Sequence, residues 1–301
     1  MNTNQKIFYS CVIDNTPLFY WQGYIFITSL INIAKVNGER IFAHLTHKND
    51  LYESFLLKYR VNIRYIQPWG DNKYCNKLQQ LETEEFYDAE YVFFCDADMA
   101  ILEDLAAYID TLNISGKIVG KIVDMNNPKI EYLDIIFDYF SLKKPPITTD
   151  TLNKEPTYEG NFNGGLYGIP SNAIKQFGLT WKEYAQKMLE DSFFTELLGN
   201  KIIHIDQISF ALALTNTQQD YALLSLDYNC PTHLKQTEPL STKLLANPKI
   251  LHYHRKINPN GLLQTTNIQI IDEAINKVNF MLEKNLDSQI FQNYKDSVNH
   301  E

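Results

Sequence analysis

The sequence predicts an α/β fold, a mostly parallel central sheet flanked by helices, and three observations carry that expectation. Short apolar runs alternate with segments of helical spacing, giving three β-α units before residue 90. The run Tyr91-Val92-Phe93-Phe94-Cys95 is apolar throughout, as suits a strand buried on both faces. Two carboxylates, Asp96 and Asp98, then follow at the strand's C-terminal end, where open α/β sheets bind ligands.

The elements are expected in this order. Ile7–Ile13 reads as a strand broken by Asp14-Asn15-Thr16-Pro17, and Leu18–Ala34 as a helix stopped near Asn37-Gly38. A strand at Ile41–Thr46, a helix at Asp50–Tyr59 and a strand at Val61–Gln67 follow, then a helix from Lys73 to Phe86 leading to the strand at Tyr91. Beyond the aspartates come a helix at Glu103–Leu112, a strand at Lys117–Val123 and an amphipathic helix at Ile130–Phe140. Ser141–Pro156, with Pro145, Pro146 and Pro156, reads as a long irregular loop and a candidate flap. Ser171 is placed to cap a helix running to Leu189, and Lys201–Ile205 reads as a short strand. Asp206-Gln207 opens an apolar helix through Leu214, with Asp206 as its cap. Tyr221–Leu226 and Lys249–Tyr253 are further strands, and from Thr265 the pattern is helical, with Ile268, Ile271, Ile275, Val278 and Leu282 on one stripe. The chain thus divides into residues 1–262, an α/β domain, and 263–301, a helical extension whose stripe suits core or contact between copies of the chain.

Composition narrows the function. At 301 residues the chain can bury a full core, and 45% hydrophobic against 21% charged residues marks it as globular. A net charge of −9 disfavours general attraction to nucleic acid or an anionic bilayer, but not to a nucleotide neutralised by a divalent ion. Cys11, Cys75, Cys95 and Cys230 lack metal-type spacing, and Cys11 and Cys95 read as buried thiols. No charged leader precedes an apolar block at the N-terminus and no run reaches transmembrane length, so a cytoplasmic protein is expected.

Two carboxylates this close at a buried strand end require a cation or hydrogen-bond donors, so Asp96 and Asp98 are candidate ligands of a divalent metal holding a phosphorylated substrate. Exposed turn aspartates are the plainer alternative. Further along stand Phe162-Asn163-Gly164-Gly165-Leu166, Asp206-Gln207 and Leu251-His252-Tyr253-His254. In this order the four elements resemble a GT-A-fold glycosyltransferase, in particular the retaining group that includes glycogenin and the bacterial lipooligosaccharide galactosyltransferases. The resemblance covers roughly residues 5–257.

That resemblance implies a role for each site residue. Asp96, Ala97 and Asp98 lie at the donor, and Asp96, Asp98 and His252 bind Mn²⁺ or Mg²⁺, with His254 the competing imidazole. Cys11, Val12, Ile13 and Asp14 cradle the nucleotide base, although Asp14 also suits a plain strand-ending Asx turn, and Lys77 approaches the donor's phosphates or sugar, or is a solvated helix lysine. Asn163, Gly164 and Gly165 contact the donor sugar, although Asn-Gly also suits a bulged strand or a hairpin turn. Asp206 binds sugar hydroxyls, and Gln207 lies on the sugar face opposite the leaving group. If the chemistry were inverting, Asp206 is instead the general base. The group's His-Phe-x-Gly-x-x-Lys-Pro-Trp pattern is not kept in His252-Tyr253-His254-Arg255-Lys256-Ile257-Asn258-Pro259, which lacks the glycine, the Lys spacing and the tryptophan; Arg255 or Lys256 is a chemically adequate substitute at the diphosphate.

The implied reaction is metal-dependent transfer of a hexose from a nucleotide-diphosphate sugar, by default a UDP-sugar, to a hydroxyl of a glycan or other acceptor, with retention. Acceptor recognition falls to the loops Ser141–Pro156 and Gln236–Asn247. Trp69, Tyr158 and Tyr167 are stacking platforms for sugar rings or plain core residues. Two rivals stand beside this reading. An apolar strand before Asp-x-Asp also opens haloacid-dehalogenase-type phosphatases, with the first Asp as nucleophile, although here the pair lies far from the N-terminus. The other rival is a catalytically inactive sugar-nucleotide-binding protein.

Overall fold

The computed structural model describes residues 6–233 and 247–298. In chain order these form β1 (Ile7–Ile13), α1 (Pro17–Asn32), β2 (Ile41–Leu45), α2 (Asp50–Lys58), β3 (Asn62–Tyr65), β4 (Tyr91–Cys95), β5 (Met99–Ile101) and β6 (Ile118–Ile122). Then come α3 (Ile130–Tyr139), β7 (Ile147–Thr149), β8 (Pro156–Tyr158), β9 (Phe162–Pro170), α4 (Ser171–Glu190), α5 (Ser192–Leu198), α6 (Ile205–Thr217), β10 (Tyr221–Leu223), β11 (Cys230–Pro231) and β12 (Ile250–His252). Two more helices, Gln269–Lys284 and Ser288–Val298, complete the order. The fold is α/β, with a mostly parallel central sheet flanked by helices and a helical C-terminal region, as the sequence predicts.

The chain divides into two compact units. The first comprises Met1–Ile7, Gln67–Phe94 and Asp110–Leu224. Here β10 pairs in parallel with β6, and β6 pairs antiparallel with the long β9. The β6–β9 register shifts between Gly120, opposite Tyr167, and Ile122, opposite Phe162, so the surplus residues lie in β9 itself, in the stretch that carries Asn163–Gly165. Gly120 is required there, because a Cβ on it would lie 2.3 Å from the Phe162 ring. Helices α4 and α6 pack against each other around Phe177, Trp181 and Phe210, all fully buried or nearly so.

The second unit comprises Phe8–Ile66, Cys95–Ile109 and Ser225–Glu301. Strands β1, β2 and β3 pair in parallel, with Tyr9 opposite Ile41 and Phe42 opposite Asn62. Their connecting helices start at side-chain caps: Thr16 Oγ1 accepts the Phe19 N–H at 3.2 Å, and Asn49 Oδ1 accepts the Tyr52 N–H at 3.0 Å. A small separate sheet orders β11-β12-β5. The C-terminal helices pack on α1, where Trp21 stacks on Tyr294 at 5.7 Å. All four cysteines are free and buried.

Five local expectations are corrected. Residues Tyr74–Glu82 wind as a 3-10 helix rather than an α-helix. The Asp71 carboxylate gathers the N–H groups of Lys73, Tyr74 and Cys75 at 3.0, 3.2 and 2.8 Å and tightens the start. The helix expected over Glu103–Leu112 shrinks to Leu105–Tyr108, because Asp104, its cap, is also held by Tyr9 at 2.8 Å and Arg40 at 2.7 Å. Ser141–Pro156 is no loose loop: Ile147–Thr149 pairs antiparallel with Pro156–Tyr158. The expected strand at Lys201–Ile205 is a 3-10 helix, Gly199–His204, entered through Gly199 at φ +53°. Ser171 is the first residue of α4 and makes no capping bond. The expected acceptor loop from Gln236 lies, through residue 246, outside the described residues.

Candidate active site and metal centre

In the second unit the small sheet assembles the candidate metal ligands. Strands β5 and β12 run antiparallel with Met99 opposite His252, and the Tyr253 N–H donates to the Asp98 carbonyl at 3.1 Å. This pairing brings a residue from late in the chain beside the Asp-Ala-Asp turn. Asp96, Asp98 and His252 each offer one ligand atom, and these atoms lie within 4.8 Å of one another. His252 Nε2 is 3.4 Å from Asp98 Oδ1, and Nδ1 on the other side meets Asn229 Oδ1 at 3.1 Å. An amide oxygen there accepts from Nδ1–H and aims Nε2 at the carboxylates. Burial alone would raise the Asp98 carboxyl, but the charge and hydrogen bond of His252, with His254 behind, carry it below the ordinary range. His254, at φ +53°, stacks on His252 at 4.0 Å and is not part of the ligand cluster. Its own pKa falls to about 4 through burial and the neighbouring His252 charge.

Of the other residues expected at the donor, Cys11 and Ile13 are buried on β1, Val12 is half-buried, and Asp14 accepts the Thr46 hydroxyl at 2.7 Å. Burial first, and then the charge of Asp96, push the Cys11 thiol up, so it stays protonated. Ala97 is buried between the two aspartates. Arg255 and Lys256 are exposed in the turn after β12.

In the first unit a second group of residues is bonded into one network. Lys77 Nζ lies 2.9 Å from Asp206 Oδ2 and donates to the Gly164 carbonyl at 2.9 Å. The Gly164 N–H donates to Gln207 Oε1 at 3.2 Å, and Gln207 Nε2 reaches the Asn127 carbonyl at 3.3 Å and Asn161 Oδ1 at 3.4 Å. The helix cap expected of Asp206 is corrected: His204 holds the cap position of α6, and the Asp206 side chain turns to Lys77 instead. A Cβ on Gly164 would stand 3.4 Å from both members of that pair, so glycine keeps the strand backbone open above them. Asn163 Oδ1 accepts the Gly165 N–H at 3.0 Å, while its amide donates to Asp124 Oδ2 at 2.9 Å.

Several residues here have no role in the sequence reading. Asn229 carries no motif. Lys121 and Asp124 form a buried ion pair at the end of β6. Their signal is a lysine inside an otherwise apolar strand, Ile118-Val119-Gly120-Lys121-Ile122-Val123, which buries a charge only with a partner. Of the three expected stacking aromatics, Tyr158 and Tyr167 are core, with Tyr167 stacked on Phe210 at 3.9 Å, whereas Trp69 is half-buried under Lys182 at 5.6 Å.

Residues 10–218 match the family described as the Rhodobacterales glycosyltransferase domain. The chain belongs to this family. Lys77, Asp96, Asp98, Asp206 and Gln207 of the glycosyltransferase lie within the matched span, and His252 lies beyond it. No curated protein matches the chain. Among solved structures it is similar to galactosyltransferase LgtC in complex with donor and acceptor sugar analogs, at 14% identity and TM-score 0.56, covering 94% of this chain and 99% of that one. It is also similar to the bifunctional glycosyltransferase WbbM, at 12% identity and TM-score 0.55, covering 97% of this chain and 52% of WbbM, about half its length. The fold of this glycosyltransferase is thus GT-A. The chain is an enzyme of sugar transfer, and the phosphatase reading, with Asp96 as nucleophile, finds no support. Among the described residues no helix is long and apolar enough to cross a membrane.

Proposed function

We propose that this glycosyltransferase moves a hexose from a nucleotide-diphosphate sugar, a uridine diphosphate sugar in the first instance, to a hydroxyl of a glycan or other acceptor, with retention. The observation that carries the reading is the cluster of Asp96, Asp98 and His252. Two carboxylate oxygens and one imidazole nitrogen suit Mn²⁺ or Mg²⁺ better than a thiolate-seeking metal. When bound, such an ion supplies positive charge to a departing diphosphate. In the same unit, Arg255 and Lys256 meet the remaining phosphate charge, Asp14 contacts the nucleotide, and Cys11, Val12 and Ile13 contribute backbone to the base.

In the other unit, the open backbone at Asn163, Gly164 and Gly165 faces the sugar, and Lys77 adds a charge-assisted donor. The Asp206 charge is already matched by Lys77, which suits a carboxylate that holds sugar hydroxyls. The Gln207 side chain is fixed by three bonds, as a group lying against the reacting sugar must be. In front-face transfer the acceptor oxygen bonds to the anomeric carbon as the carbon–oxygen bond to the diphosphate breaks. The acceptor's proton then passes to the departing phosphate oxygen, and no side-chain base is used. On this reading residues 1–262 carry the transfer and 263–301 brace α1. Four free, buried cysteines fit a reducing, cytoplasmic setting.

The stereochemistry of turnover with Mn²⁺ and a UDP-hexose tests the reading. Proton NMR of the first product should show the donor's anomeric configuration. An inverted product would contradict retention and reassign Asp206 as the base.

A further inference from the structure

We infer that the acceptor is an anionic saccharide, bound in a cavity beside Gln207 whose charge comes from Lys129 and Lys201. The inference rests on the transferase reading above and adds the chemical class of its acceptor. The cavity measures about 460 Å³ and belongs wholly to the first unit. This falls within the roughly 300–1,000 Å³ of small-molecule sites. Its walls include Asn126, Asn127, Asn153 and Asn200 together with the two lysines. Asn127 joins it to the transfer site, since its carbonyl accepts the Gln207 side-chain amide at 3.3 Å.

These walls are held in place. Asp150 is fully buried at the end of β7, and its carboxylate accepts the N–H groups of Asn126 at 3.2 Å, Asn153 at 2.6 Å and Lys154 at 2.9 Å. One buried carboxylate thereby fixes the two segments that carry Asn126 and Asn153. The next residue, Thr151, donates its hydroxyl to Asp124 at 2.9 Å and ties the same turn to the partner of Asn163. From the stretch that reads from sequence as a flap, Asn153 is thus held as part of this cavity's wall.

The chemistry of the lining names the ligand class. Four side-chain amides offer both donors and acceptors, the match for a surface of hydroxyls. Tyr132 and Met125, 40% and 46% exposed, offer apolar surface for the face of a sugar ring. Charge is the distinguishing feature: in a chain of net charge −9, two lysines and no carboxylate line this cavity. Among the described residues neither lysine has an ion-pair partner. A neutral saccharide gains little from two ammonium groups, whereas a carboxylate or phosphate on the sugar gains a charge-assisted bond from each.

The test is a ligand-observed NMR titration of the full chain with glucose, glucuronate and glucose 6-phosphate. Binding of glucuronate or glucose 6-phosphate should exceed that of glucose by about tenfold, as expected of a charge-assisted bond. A response to glucuronate alone assigns a uronic-acid acceptor, and to glucose 6-phosphate alone a phosphorylated one. Lys129→Ala with Lys201→Ala should abolish the preference, and Lys129→Arg with Lys201→Arg should keep it. Absence of a preference in the wild type, by equal binding or by none, overturns the inference, as does a preference unchanged in the double alanine variant. Mn²⁺-dependent thermal stabilisation by a UDP-sugar is read on the same wild-type sample. Its absence counts against the transferase reading, and its presence without an anion preference overturns this inference alone.

Discussion

The two groups of carboxylates in this protein solve the same electrostatic problem in opposite ways. Asp206 is buried against Lys77 at 2.9 Å, so its charge is balanced from within the unit. Asp96 and Asp98 sit together with one imidazole, a set that holds more negative charge than it neutralises and could take a cation from outside. A third group, His44, shows the remaining solution. Fully buried on β2 beside Ser10, it is kept neutral, its pKa lowered to about 3 by burial. Internal pairing gives a fixed hydrogen-bonding surface, incomplete neutralisation gives a candidate ion site, and neutrality gives plain core. The contrast assigns a different consequence to removing each.

The largest effect is expected at Lys77. Replacing it by Met leaves the Asp206 carboxylate buried without its ion pair, at a cost of about 3–5 kcal/mol in urea unfolding. Adding Asp206→Asn to that variant should recover part of the loss, because no uncompensated charge remains. Equal stabilities for wild type and Lys77→Met would break the comparison at its first member.

A smaller effect is expected at Asn229, which holds the imidazole rather than the ion. Asn229→Ala should weaken Mn²⁺ binding by roughly 10–100-fold, the usual range for an outer partner of a metal ligand. Isothermal titration would detect this, and an unchanged affinity would remove Asn229 from the account.

The third effect, absent at neutral pH, concerns acidity. His44 binds protons less readily folded than unfolded, with a folded value of about 3 against an ordinary 6.5. Between those values the unfolded chain carries more protons, so stability is complete above about 6.5 and declines as pH falls toward 3. Chemical denaturation of His44→Gln across this range should show a shallower decline than wild type. An identical slope would assign the acid sensitivity elsewhere.

Much of this is legible in the chain itself, for reasons that differ by residue. Ile7–Ile13 and Tyr91–Cys95 read correctly because buried strands are largely apolar runs bounded by polar turns. Tyr74–Glu82 does not, because its winding is decided by the Asp71 carboxylate, which no helical period reports. Ser141–Pro156 looks loose because its order comes from buried Asp150, reached through backbone N–H groups that have no sequence signature. At the site, Asp96 and Asp98 announce themselves by adjacency, and His252 by its place after an apolar pair. Strand β5, three residues long, is too short to show a pattern, yet its pairing with β12 is what delivers His252. Asn229 depends on a contact distant in sequence that only the fold discloses, whereas the Lys121–Asp124 pair leaves a lysine in an apolar strand as its trace.

The central claim is that Asp96, Asp98 and His252 form a cation site while the Lys77–Asp206 pair needs no cation. Mn²⁺ titration followed by electron paramagnetic resonance tests both halves on three proteins: wild type, Asp98→Ala and Lys77→Met. The account predicts one bound Mn²⁺ in the wild type and an affinity lowered by about 100-fold or more in Asp98→Ala, beyond the range of an outer partner. Folded Lys77→Met should bind as the wild type does. Wild-type affinity in Asp98→Ala, or an equal loss in Lys77→Met, would contradict it.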